Sequence, residues 1–556
     1  MKTNIEIAQS ARLRQITDIA RMAGIREDEL EFYGNYKAKV NLSICERISN
    51  RKNGKLINVT AITPTKAGEG KTSVSIGLTQ ALGKLKKNVI LCLREPSLGP
   101  VFGAKGGATG TGFSQVLPME DINLHFTGDT HAVVAAHNLL SSLLDNHIYF
   151  GNKLGIDKKK ITWKRAIEIS DRQLRNITCG LGGVRQGFVH SSGFDITGAS
   201  EVMAILALTQ DFRDLKDRLS RIIVAYDTNG KPVTSGDLKA SGSMALLLKD
   251  AIKPNLVQTL EGQPVFIHAG PFANIAHGNN SVIATMLALK LANYVVTESG
   301  FAADLGTEKF FNIVSRQGKF NPDIVVLVVS ARALKLHGGD SETDLNRENI
   351  EALHKGFPNL ERHIRNIKMF NVPLVIAINR FPHDSLAELN AIKRRCDEMR
   401  VKAVITEVVA KGGEGGIELA DMVIRTIQES PSKFKPLYEL DLPLKKKIEM
   451  LACQLYGARK VEYSKVAEET LNRLTELGFG NLPINMARTH LSFTDDPKIK
   501  GAPSGWTLKV REVRISAGAG FVVPVTGKMM LMPGLPQHPL AERIDIDEKG
   551  KTIGLS

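Results

Sequence analysis

The sequence predicts an α/β fold, with a large, doubly wound, mostly parallel sheet domain and two smaller α/β lobes. Short β-branched runs alternate with segments of helical period along most of the 556 residues. The runs are continuously apolar, which is typical of parallel strands that helices cover on both faces. A chain of this length also exceeds what one ordinary core supports, so several domains are expected.

Strands and helices are expected in two successive series. In the first, strands are predicted over residues 56–62, 88–94, 221–226, 264–270, 294–300 and 323–331. Helical spacing between them predicts helices over residues 71–87 and 280–293. The second series predicts a strand, a helix, a strand and a helix over residues 372–380, 385–399, 402–410 and 417–429.

Composition limits the classes of function. Lysine and arginine (73) exceed aspartate and glutamate (58), and the net charge of +15 favours anionic ligands. Nucleic acid is not expected, because only 6% of residues are aromatic and the basic runs are short. The five cysteines form no CxxC pair, so reduced thiols in a cytoplasmic protein are expected. The charged N-terminus and the short apolar runs predict a soluble protein without signal peptide or membrane span.

A glycine-rich segment joins the first predicted strand to the first predicted helix. Residues 63–73, TPTKAGEGKTS, match GxxxxGK[ST] except at the leading glycine. Backbone N–H groups at a helix N-terminus cradle phosphates, and the lysine adds a charge there. We therefore expect a nucleotide-binding domain of the P-loop type, with the threonine hydroxyl on a magnesium ion. The expected binding residues are Thr65, Lys66, Ala67, Gly68, Glu69, Gly70, Lys71 and Thr72.

Two more segments that suit anions follow the second predicted strand. Arg94 and Glu95 leave its C-terminal end, where open α/β sheets bind ligands. Arg94 can fork onto a carboxylate or a phosphoryl group, whereas Glu95 would repel such anions unless a cation lies between. A structural ion pair between the two is the alternative. Residues 103–113, GAKGGATGTGF, favour a further anion nest around Lys105, with a flexible linker as the alternative.

These segments resemble the formate–tetrahydrofolate ligase family. GAKGGATGTGF is similar to one signature of that family, and VSARALKLHGG (329–339) is similar to a second. Six further blocks are similar and occur in the expected order: TPTKAGEGKTS (63–73), HAGPFANIAHG (268–278), SGFAADLGTEKF (299–310), NRFPHDS (379–385), AKGGEGGIELA (410–420) and SAGAGFVVP (516–524). No dehydrogenase or cyclohydrolase domain precedes them, so the resemblance implies the monofunctional form.

The resemblance implies ATP-dependent ligation of formate to N10 of tetrahydrofolate, which gives 10-formyltetrahydrofolate, ADP and phosphate. Formate is expected to attack the γ-phosphate, and the N10 amine then attacks the resulting formyl phosphate. Both steps move negative charge, so catalysis is expected to rest on positioning and electrostatic stabilisation. The resemblance also implies magnesium, a monovalent cation (potassium or ammonium) and a cytoplasmic homotetramer that binds small molecules, without nucleic acid or membrane.

The family's catalytic roles fall on four residues by resemblance. Lys71 is expected on the γ-phosphate, Arg94 on the formyl phosphate and Glu95 with the monovalent cation. Asp129, in FTGDTHA, resembles an acid that handles the amine proton or orients the folate. The alternative for Asp129 is an N-cap of the helix that begins near residue 130.

The folate site is expected to use aromatic residues. Phe301 and Phe381 resemble folate-packing rings, and the alternative for each is an ordinary core residue. Pro382 would hold its loop rigid. Two departures bear on affinity: Val409 stands where the family commonly has tryptophan, and Lys66 replaces a proline common inside the loop. Losing the flat stacking surface costs on the order of 1 kcal/mol of binding.

The sequence also predicts a division into three domains. Residues 1–360 are expected to form the P-loop catalytic domain, residues 361–458 a small α/β domain that contributes to the folate and nucleotide site, and residues 459–556 a C-terminal α/β domain.

A partner-regulated ATPase switch of the deviant-Walker class is the main rival function, although it leaves GAKGGATGTGF and RALKLHGG without a role. The others are a non-catalytic folate- or nucleotide-binding relative and a nucleic-acid-binding protein.

Overall fold

A computed structural model describes residues 2–66, 68–104 and 107–555 of the chain. Within these ranges the protein is an α/β fold built on a twelve-stranded, mostly parallel mixed sheet. The strands of the chain are β1 (Leu30–Phe32), β2 (Ala38–Val40), β3 (Lys55–Ala61), β4 (Val89–Leu93), β5 (Gly110–Thr111), β6 (Ser114–Leu117), β7 (Ile156–Ile161), β8 (Arg165–Ile167), β9 (Ile177–Cys179), β10 (His190–Ser192), β11 (Phe194–Ile196), β12 (Ile223–Asp227), β13 (Pro232–Thr234), β14 (Asn255–Thr259), β15 (Pro264–Ile267), β16 (Tyr294–Glu298), β17 (Ile324–Val329), β18 (Leu374–Asn379), β19 (Ala403–Thr406), β20 (Ala458–Tyr463), β21 (Trp506–Ser516), β22 (Phe521–Thr526), β23 (Asp545–Ile546) and β24 (Thr552–Ile553).

Helices connect most of these strands. The α-helices are α1 (Asn4–Ser10), α2 (Ile16–Met22), α3 (Ile44–Ile48), α4 (Lys71–Lys84), α5 (Leu98–Phe102), α6 (Met119–Asn123), α7 (Asp129–Tyr149), α8 (Glu201–Leu208), α9 (Phe212–Ser220), α10 (Ser241–Leu247), α11 (Val282–Leu291), α12 (Ser315–Gly318), α13 (Ala331–His337), α14 (Ile350–Lys368), α15 (Leu386–Glu398), α16 (Val408–Lys411), α17 (Ile417–Glu429), α18 (Leu444–Met450) and α19 (Lys465–Glu476). Segments of π-helix cover Ala303–Thr307, Phe310–Val314 and Leu451–Leu455. Short 3-10 turns cover Glu27–Glu29, Arg172–Arg175, Val184–Gln186, Thr197–Ala199, Gly412–Gly416 and Leu540–Glu542.

The large sheet has the strand order β1-β2-β14-β15-β4-β16-β3-β17-β18-β19, with β6 beside β14 and β5 beside β6. The strands from β15 to β19 in this order are parallel, and β14 joins them antiparallel. Parallel strands end at the same edge of a sheet. The residues that follow β3, β4, β16, β17 and β18 therefore gather along one edge, where open α/β sheets bind ligands.

Two hydrophobic cores lie on the two faces of this sheet. Successive residues of a strand point to opposite faces, so Leu56 packs into one core and Ile57 into the other. Residues of α4 and α17 share the core that contains Ile57, whereas residues of α11 and α14 share the core that contains Leu56. This burial on both sides explains why the strand sequences are apolar without alternation.

Most of the predicted strands occur where they were expected, but one lies in a different sheet. The strand predicted at 221–226 forms β12, which pairs antiparallel with β7 and β13 in a separate three-stranded sheet. A hairpin turn explains its placement, because Asp227 N–H donates to the Lys231 carbonyl at 2.9 Å and Gly230 in between has a φ of 84°. An Asn-Gly turn of this kind returns the chain antiparallel.

The second predicted series extends the large sheet. β18 and β19 continue it in parallel beyond β17, so the sheet runs across the predicted boundary at residue 360. Near the C-terminus, β20, β21 and β22 form a three-stranded sheet against which α19 packs. The division into one large domain and two smaller lobes stays a prediction. No helix within the described residues has the length and apolar character needed to cross a bilayer.

Candidate functional site

The phosphate loop (residues 63–73) lies between the C-terminal end of β3 and the start of α4. Gly70 precedes the helix with a φ of 72°, a left-handed conformation that glycine adopts without strain. A Cβ atom at Gly70 would come within 2.3 Å of Asn379 Nδ2 and 3.8 Å of Phe381 Cζ. The Asn379 amide also donates to the Glu69 carbonyl oxygen at 3.0 Å. The end of β18 therefore fixes the loop where it turns into the helix.

Lys71 and Arg94 meet at one carboxylate. Lys71 Nζ lies 2.7 Å from Glu298 Oε1, and Arg94 Nη2 lies 3.9 Å from the same oxygen. Lys71 begins α4, Arg94 follows β4 and Glu298 ends β16, the parallel neighbour of β4. The shared edge of the sheet thus brings together two residues that the sequence proposed and one that it did not.

Burial and mutual attraction shift the pKa values of Lys71, Arg94 and Glu298. Burial lowers the pKa of Lys71 below its ordinary 10.5, although Glu298 opposes the change. Burial also lowers the pKa of Arg94 below 12.5. For Glu298, burial alone would raise the pKa, but Lys71, Arg94 and the Thr72 hydroxyl together hold it below 4.5. Two cations and one anion leave a positive pocket, which suits phosphate and carboxylate ligands.

The segment after β15 supports Arg94. Arg94 Nη1 donates to the Pro271 carbonyl at 3.2 Å. Gly300 makes room for the guanidinium, because a Cβ atom there would lie 3.1 Å from Arg94 Nη2 and 2.6 Å from Ala273 Cβ. The buried Lys309 in turn donates to the Ala273 carbonyl at 2.6 Å. The Pro271 carbonyl and the space beside Gly300 therefore help to place the guanidinium near Glu298.

Glu95 and Asp129 belong to a second, buried group of polar side chains. Asp129 Oδ1 lies 2.7 Å from Lys39 Nζ, and Asp129 Oδ2 accepts from Asn255 Nδ2 at 2.7 Å. Burial raises the pKa of Glu95 well above 4.5, and the charge of Asp129 raises it further. Glu95 Oε2 has no hydrogen-bonding partner among the described residues. Since Arg94 faces Glu298, the alternative of an Arg94–Glu95 ion pair is wrong.

The alternative that Asp129 caps a helix is also wrong. α7 begins at Asp129 itself, and the N-cap residue is Gly128, with a φ of 89°. The carboxylate of Asp129 is instead bound by the Lys39 ammonium from β2 and the Asn255 amide from β14.

The two aromatic residues proposed for folate packing lie on loops and are half-buried. One face of the Phe381 ring is covered by Arg332, whose guanidinium carbon lies 3.6 Å from the ring centroid. Phe301 stacks on His490 with 4.2 Å between ring centroids. Pro382, next to Phe381, is exposed. Neither ring is part of the fully buried core, so the alternative of an ordinary core residue is wrong for both.

The first half of the phosphate loop makes internal contacts and one surface ion pair. The Thr65 N–H donates to Glu69 Oε1 at 2.8 Å. Gly68 has a φ of 81°, and its carbonyl accepts from Arg332 Nη2 at 3.4 Å. Lys66 Nζ lies 3.0 Å from Glu342 Oε2 at the surface. The charge that Lys66 adds to the loop is therefore shared with a carboxylate.

Two of the proposed binding residues, Ala67 and Lys105, lie outside the described residues. The later part of the glycine-rich segment 103–113 packs on the helix that follows the phosphate loop. Thr111 Oγ1 and Ser73 Oγ are 2.8 Å apart. This segment therefore adjoins the start of α4.

Val409 contacts the same segment through its backbone. The Phe113 N–H donates to the Val409 carbonyl at 2.9 Å, and a Cβ atom at Gly112 would come within 2.1 Å of that carbonyl oxygen. The Val409 side chain is half-buried. The position where the family commonly has tryptophan thus lies against the GAKGGATGTGF segment.

Three residues of the candidate site were not predicted from the sequence: Glu298, Asn379 and Arg332. Glu298 and Asn379 end β16 and β18, but the strands predicted at 294–300 and 372–380 extended past both residues, so the strand-end rule did not single them out. Arg332 lies in the VSARALKLHGG segment, just after the end of β17. Their mutual contacts depend on the order of strands, which no local pattern encodes.

A protein-family model described as formate--tetrahydrofolate ligase matches residues 2–556. Two solved structures of translation elongation factor SelB from Methanococcus maripaludis overlap the chain in part. The apo form shows 15% identity and a TM-score of 0.17 over 27% of this chain and 28% of that chain. The complex with the GTP analogue GPPNHP shows 16% identity and a TM-score of 0.16 over 25% and 27%. The chain spans less than a third of those structures, and overlaps this loose carry no weight for fold or activity.

Proposed function

Because the chain belongs to the formate–tetrahydrofolate ligase family, we propose that its active site is the pocket around Lys71, Arg94 and Glu298. As a member of that family it is a carbon–nitrogen ligase that joins formate to tetrahydrofolate with ATP and gives 10-formyltetrahydrofolate. The observation that carries the proposed site is that one Glu298 oxygen faces both the Lys71 ammonium and the Arg94 guanidinium.

The phosphate loop is proposed to hold the phosphates of ATP. The loop N–H groups precede the N-terminus of α4, and helix N-termini favour anions. Lys71 is proposed to leave Glu298 for the γ-phosphate, since a doubly charged phosphate oxygen cluster is the stronger partner for the ammonium. Arg94 lies next to that position and is proposed to bind formate and then the transferred phosphoryl group.

The reaction is proposed to proceed through formyl phosphate. A formate oxygen attacks the γ-phosphorus, the bond from that phosphorus to the β–γ bridging oxygen breaks, and ADP leaves. The N10 lone pair then attacks the formyl carbon, the bond between that carbon and the phosphate oxygen breaks, and phosphate leaves as N10 loses its proton. Lys71 and Arg94 stabilise the negative charge that develops on the phosphoryl oxygens in both steps.

Asp129 and the aromatic residues are proposed to act on the folate. Asp129 is proposed to orient the folate or to receive the N10 proton, and its bonds to Lys39 and Asn255 keep the carboxylate fixed. Phe301 is proposed to pack on the folate, and Phe381 with one ring face covered by Arg332 is proposed to offer its other face. Pro382 is proposed to restrict the loop that carries Phe381.

Residues of the pocket and of the second buried group fit the cations that the resemblance implies. Glu95 Oε2 is buried without a hydrogen-bonding partner among the described residues, and a monovalent cation would satisfy it. Thr72 adjoins Glu298, and these two side chains would hold magnesium, which takes oxygen ligands. Magnesium in nucleotide sites needs few protein ligands, because phosphate oxygens and water complete the shell. When bound, it neutralises charge on the phosphates.

The remaining expectations are proposed on family membership. Ala67 and Lys105 are proposed to contact ATP and an anionic substrate respectively. The three domains, with the folate and nucleotide site between residues 1–360 and 361–458, stay proposals, as do the homotetramer and the cytoplasmic location. Sedimentation of the purified protein tests the tetramer, and a monomer at assay concentrations would contradict it.

A single assay tests the function. Purified protein is mixed with magnesium-ATP, formate and tetrahydrofolate, ADP release is followed, and 10-formyltetrahydrofolate is detected by mass spectrometry. ADP release that requires both formate and tetrahydrofolate, together with the product mass, supports the ligase. Equal ATP hydrolysis without the two co-substrates would instead support the ATPase switch.

A further inference from the structure

The Glu69 carboxylate is used entirely inside the protein. Its Oε1 accepts the Thr65 N–H at 2.8 Å, and its Oε2 accepts the hydroxyl of Ser330. Glu69 is only 3% exposed although it lies in the phosphate loop. Both oxygens therefore have protein donors, and the carboxylate is not turned towards a ligand.

Ser330 connects this carboxylate to α13. Ser330 is the N-cap residue of α13, and its Oγ accepts the Ala333 N–H at 3.2 Å while its hydroxyl hydrogen goes to Glu69. A hydroxyl can donate one hydrogen bond and accept two, so both roles are compatible. The start of α13 and the phosphate loop are thus joined through one side chain.

The backbone of Glu69 is held independently. Its carbonyl oxygen accepts from Asn379 Nδ2 at 3.0 Å. Ser330 follows β17 and Asn379 ends β18, so the side chain and the main chain of Glu69 are fixed by two neighbouring strand ends. A residue fixed at both places can hold Thr65 near the end of β18, beside Gly70.

A carboxylate beside a phosphate site carries an electrostatic cost. Like charges repel strongly where water is partly excluded, so the charge of Glu69 opposes nucleotide binding. Any benefit of Glu69 to nucleotide binding must therefore come from its hydrogen bonds. The loop also has Thr65 where GxxxxGK[ST] has glycine, and Glu69 is the residue that binds the Thr65 N–H.

We propose that Glu69 is a positioning residue for ATP binding, which closes the loop from Thr65 to Gly70 on itself and ties it to Ser330. This inference rests on the proposed function, because it concerns the loop that holds the nucleotide. Glu69 acts in this role as a hydrogen-bond acceptor, and its negative charge is not required. The loop is thereby organised before the nucleotide arrives, and less binding energy is spent on ordering it.

Two variants of Glu69 distinguish the effect of its hydrogen-bond acceptor from the effect of its negative charge. Glu69→Ala removes the acceptor, and we expect ATP affinity, measured by calorimetry with magnesium-ATP alone, to fall about tenfold, the factor for one lost hydrogen bond of about 1.4 kcal/mol. Glu69→Gln keeps an acceptor for the Thr65 N–H, and its amide can donate to Ser330 Oγ. We expect this variant to bind ATP at least as tightly as the wild-type protein, because it keeps the hydrogen bonds and lacks the charge that opposes the nucleotide. In the assay, the KM for ATP should follow the same order while the KM for formate stays unchanged.

A capping serine elsewhere provides the matched control. Ser464 is the N-cap residue of α19, accepts the Ala467 N–H at 3.1 Å and donates to the Arg511 carbonyl at 2.6 Å, and neither partner belongs to the phosphate loop. Ser330→Ala and Ser464→Ala both lose a cap, and Ser330→Ala should lower the melting temperature more, because Ser330 is buried and Ser464 is exposed. Only Ser330→Ala should weaken ATP binding.

Three outcomes would overturn the inference. They are wild-type affinity in Glu69→Ala, equal losses in Glu69→Ala and Glu69→Gln, and equal effects of Ser330→Ala and Ser464→Ala on ATP binding. Failure of the wild-type protein to bind ATP would instead contradict the proposed function.

Discussion

Lys71 Nζ and Glu298 Oε1 are 2.7 Å apart, a buried ion pair between the first residue of α4 and the last residue of β16. The Glu298 carboxylate holds the Lys71 ammonium beside the phosphate loop. It also compensates a charge that would otherwise be unpaired in a pocket of low dielectric. In the folded protein the pKa of Glu298 lies below 4.5. The contribution of Glu298 to stability is therefore present above that value and is lost as the pH falls through the lowered pKa.

Lys71→Ala should abolish most of the ligase activity. The ammonium is the charge closest to the proposed γ-phosphate, and removal of one such group costs about 100-fold or more in kcat. The coupled ADP-release assay measures the loss. Lys84→Ala removes an equal charge from the last turn of the same helix and should leave the rate unchanged. Similar rates in the two variants would contradict the role of Lys71.

Arg94→Ala should separate turnover from ATP binding. Arg94 is proposed to act on formate and the transferred phosphoryl group, so kcat should fall about 100-fold while ATP affinity changes little. Calorimetry with ATP and steady-state kinetics give the two quantities. Arg94→Lys keeps the charge but loses the fork geometry, and we expect an intermediate rate. Equal loss of ATP affinity and turnover in Arg94→Ala would argue against this assignment.

Glu298→Gln should move the alkaline limb of the pH–rate profile to lower pH. Burial already lowers the pKa of Lys71, and Glu298 is the group that raises it. Loss of the carboxylate charge lowers the pKa further, so Lys71 loses its proton at a lower pH and activity falls sooner. The profile of kcat/KM for ATP reports the free enzyme. Arg94→Ala should move the limb the other way, and a profile unchanged in both variants would disprove the coupling.

Asp129→Asn should destabilise the fold, because the buried Lys39 ammonium loses its carboxylate. Breaking one side of such a pair costs about 3–5 kcal/mol, measured as a shift of urea unfolding. Asp129→Leu combined with Lys39→Met replaces both charges with apolar groups and should regain part of the lost stability, because the buried Asn255 amide still loses its acceptor. If Asp129 acts on the folate, this double variant stays inactive. A stable and fully active double variant would show that Asp129 is structural.

Val409→Trp should tighten ligand binding. A flat ring beside the GAKGGATGTGF segment adds a stacking surface worth about 1 kcal/mol, or about fivefold in affinity. Separate titrations with ATP and with tetrahydrofolate identify which ligand gains. Val409→Leu adds apolar size without a flat ring and should give no comparable gain. An equal gain in both variants would point to simple apolar contact.

The fold could be predicted where burial leaves a strong local signal. β3, β4, β16 and β17 contain continuous apolar runs, because helices cover both faces of the sheet. β14 was missed, since Asn255, Gln258 and Thr259 interrupt its apolar pattern, and only its antiparallel neighbours explain why it is a strand. The strand at 221–226 was assigned to the wrong sheet because its partner is set by a turn and not by its own residues.

Part of the candidate site could also be proposed from the sequence. Lys71 and Arg94 could be proposed because each belongs to a residue pattern with its own chemistry. Glu298 is more than 200 positions away from both in sequence, and only the adjacency of β4 and β16 makes it their partner. Local patterns therefore identify the cations of the pocket, whereas the anion that organises them requires the order of the strands.

The continuity of the large sheet from β17 into β18 bears on how the chain can be divided. A fragment that stops after residue 360 would lack β18. The edge of β17 would then expose unpaired backbone amides and carbonyls, which promote aggregation. The complementary fragment would hold β18 with the same defect. The two pieces should therefore precipitate when produced alone, and a cut at this position would also divide α14, in which Leu360 is fully buried.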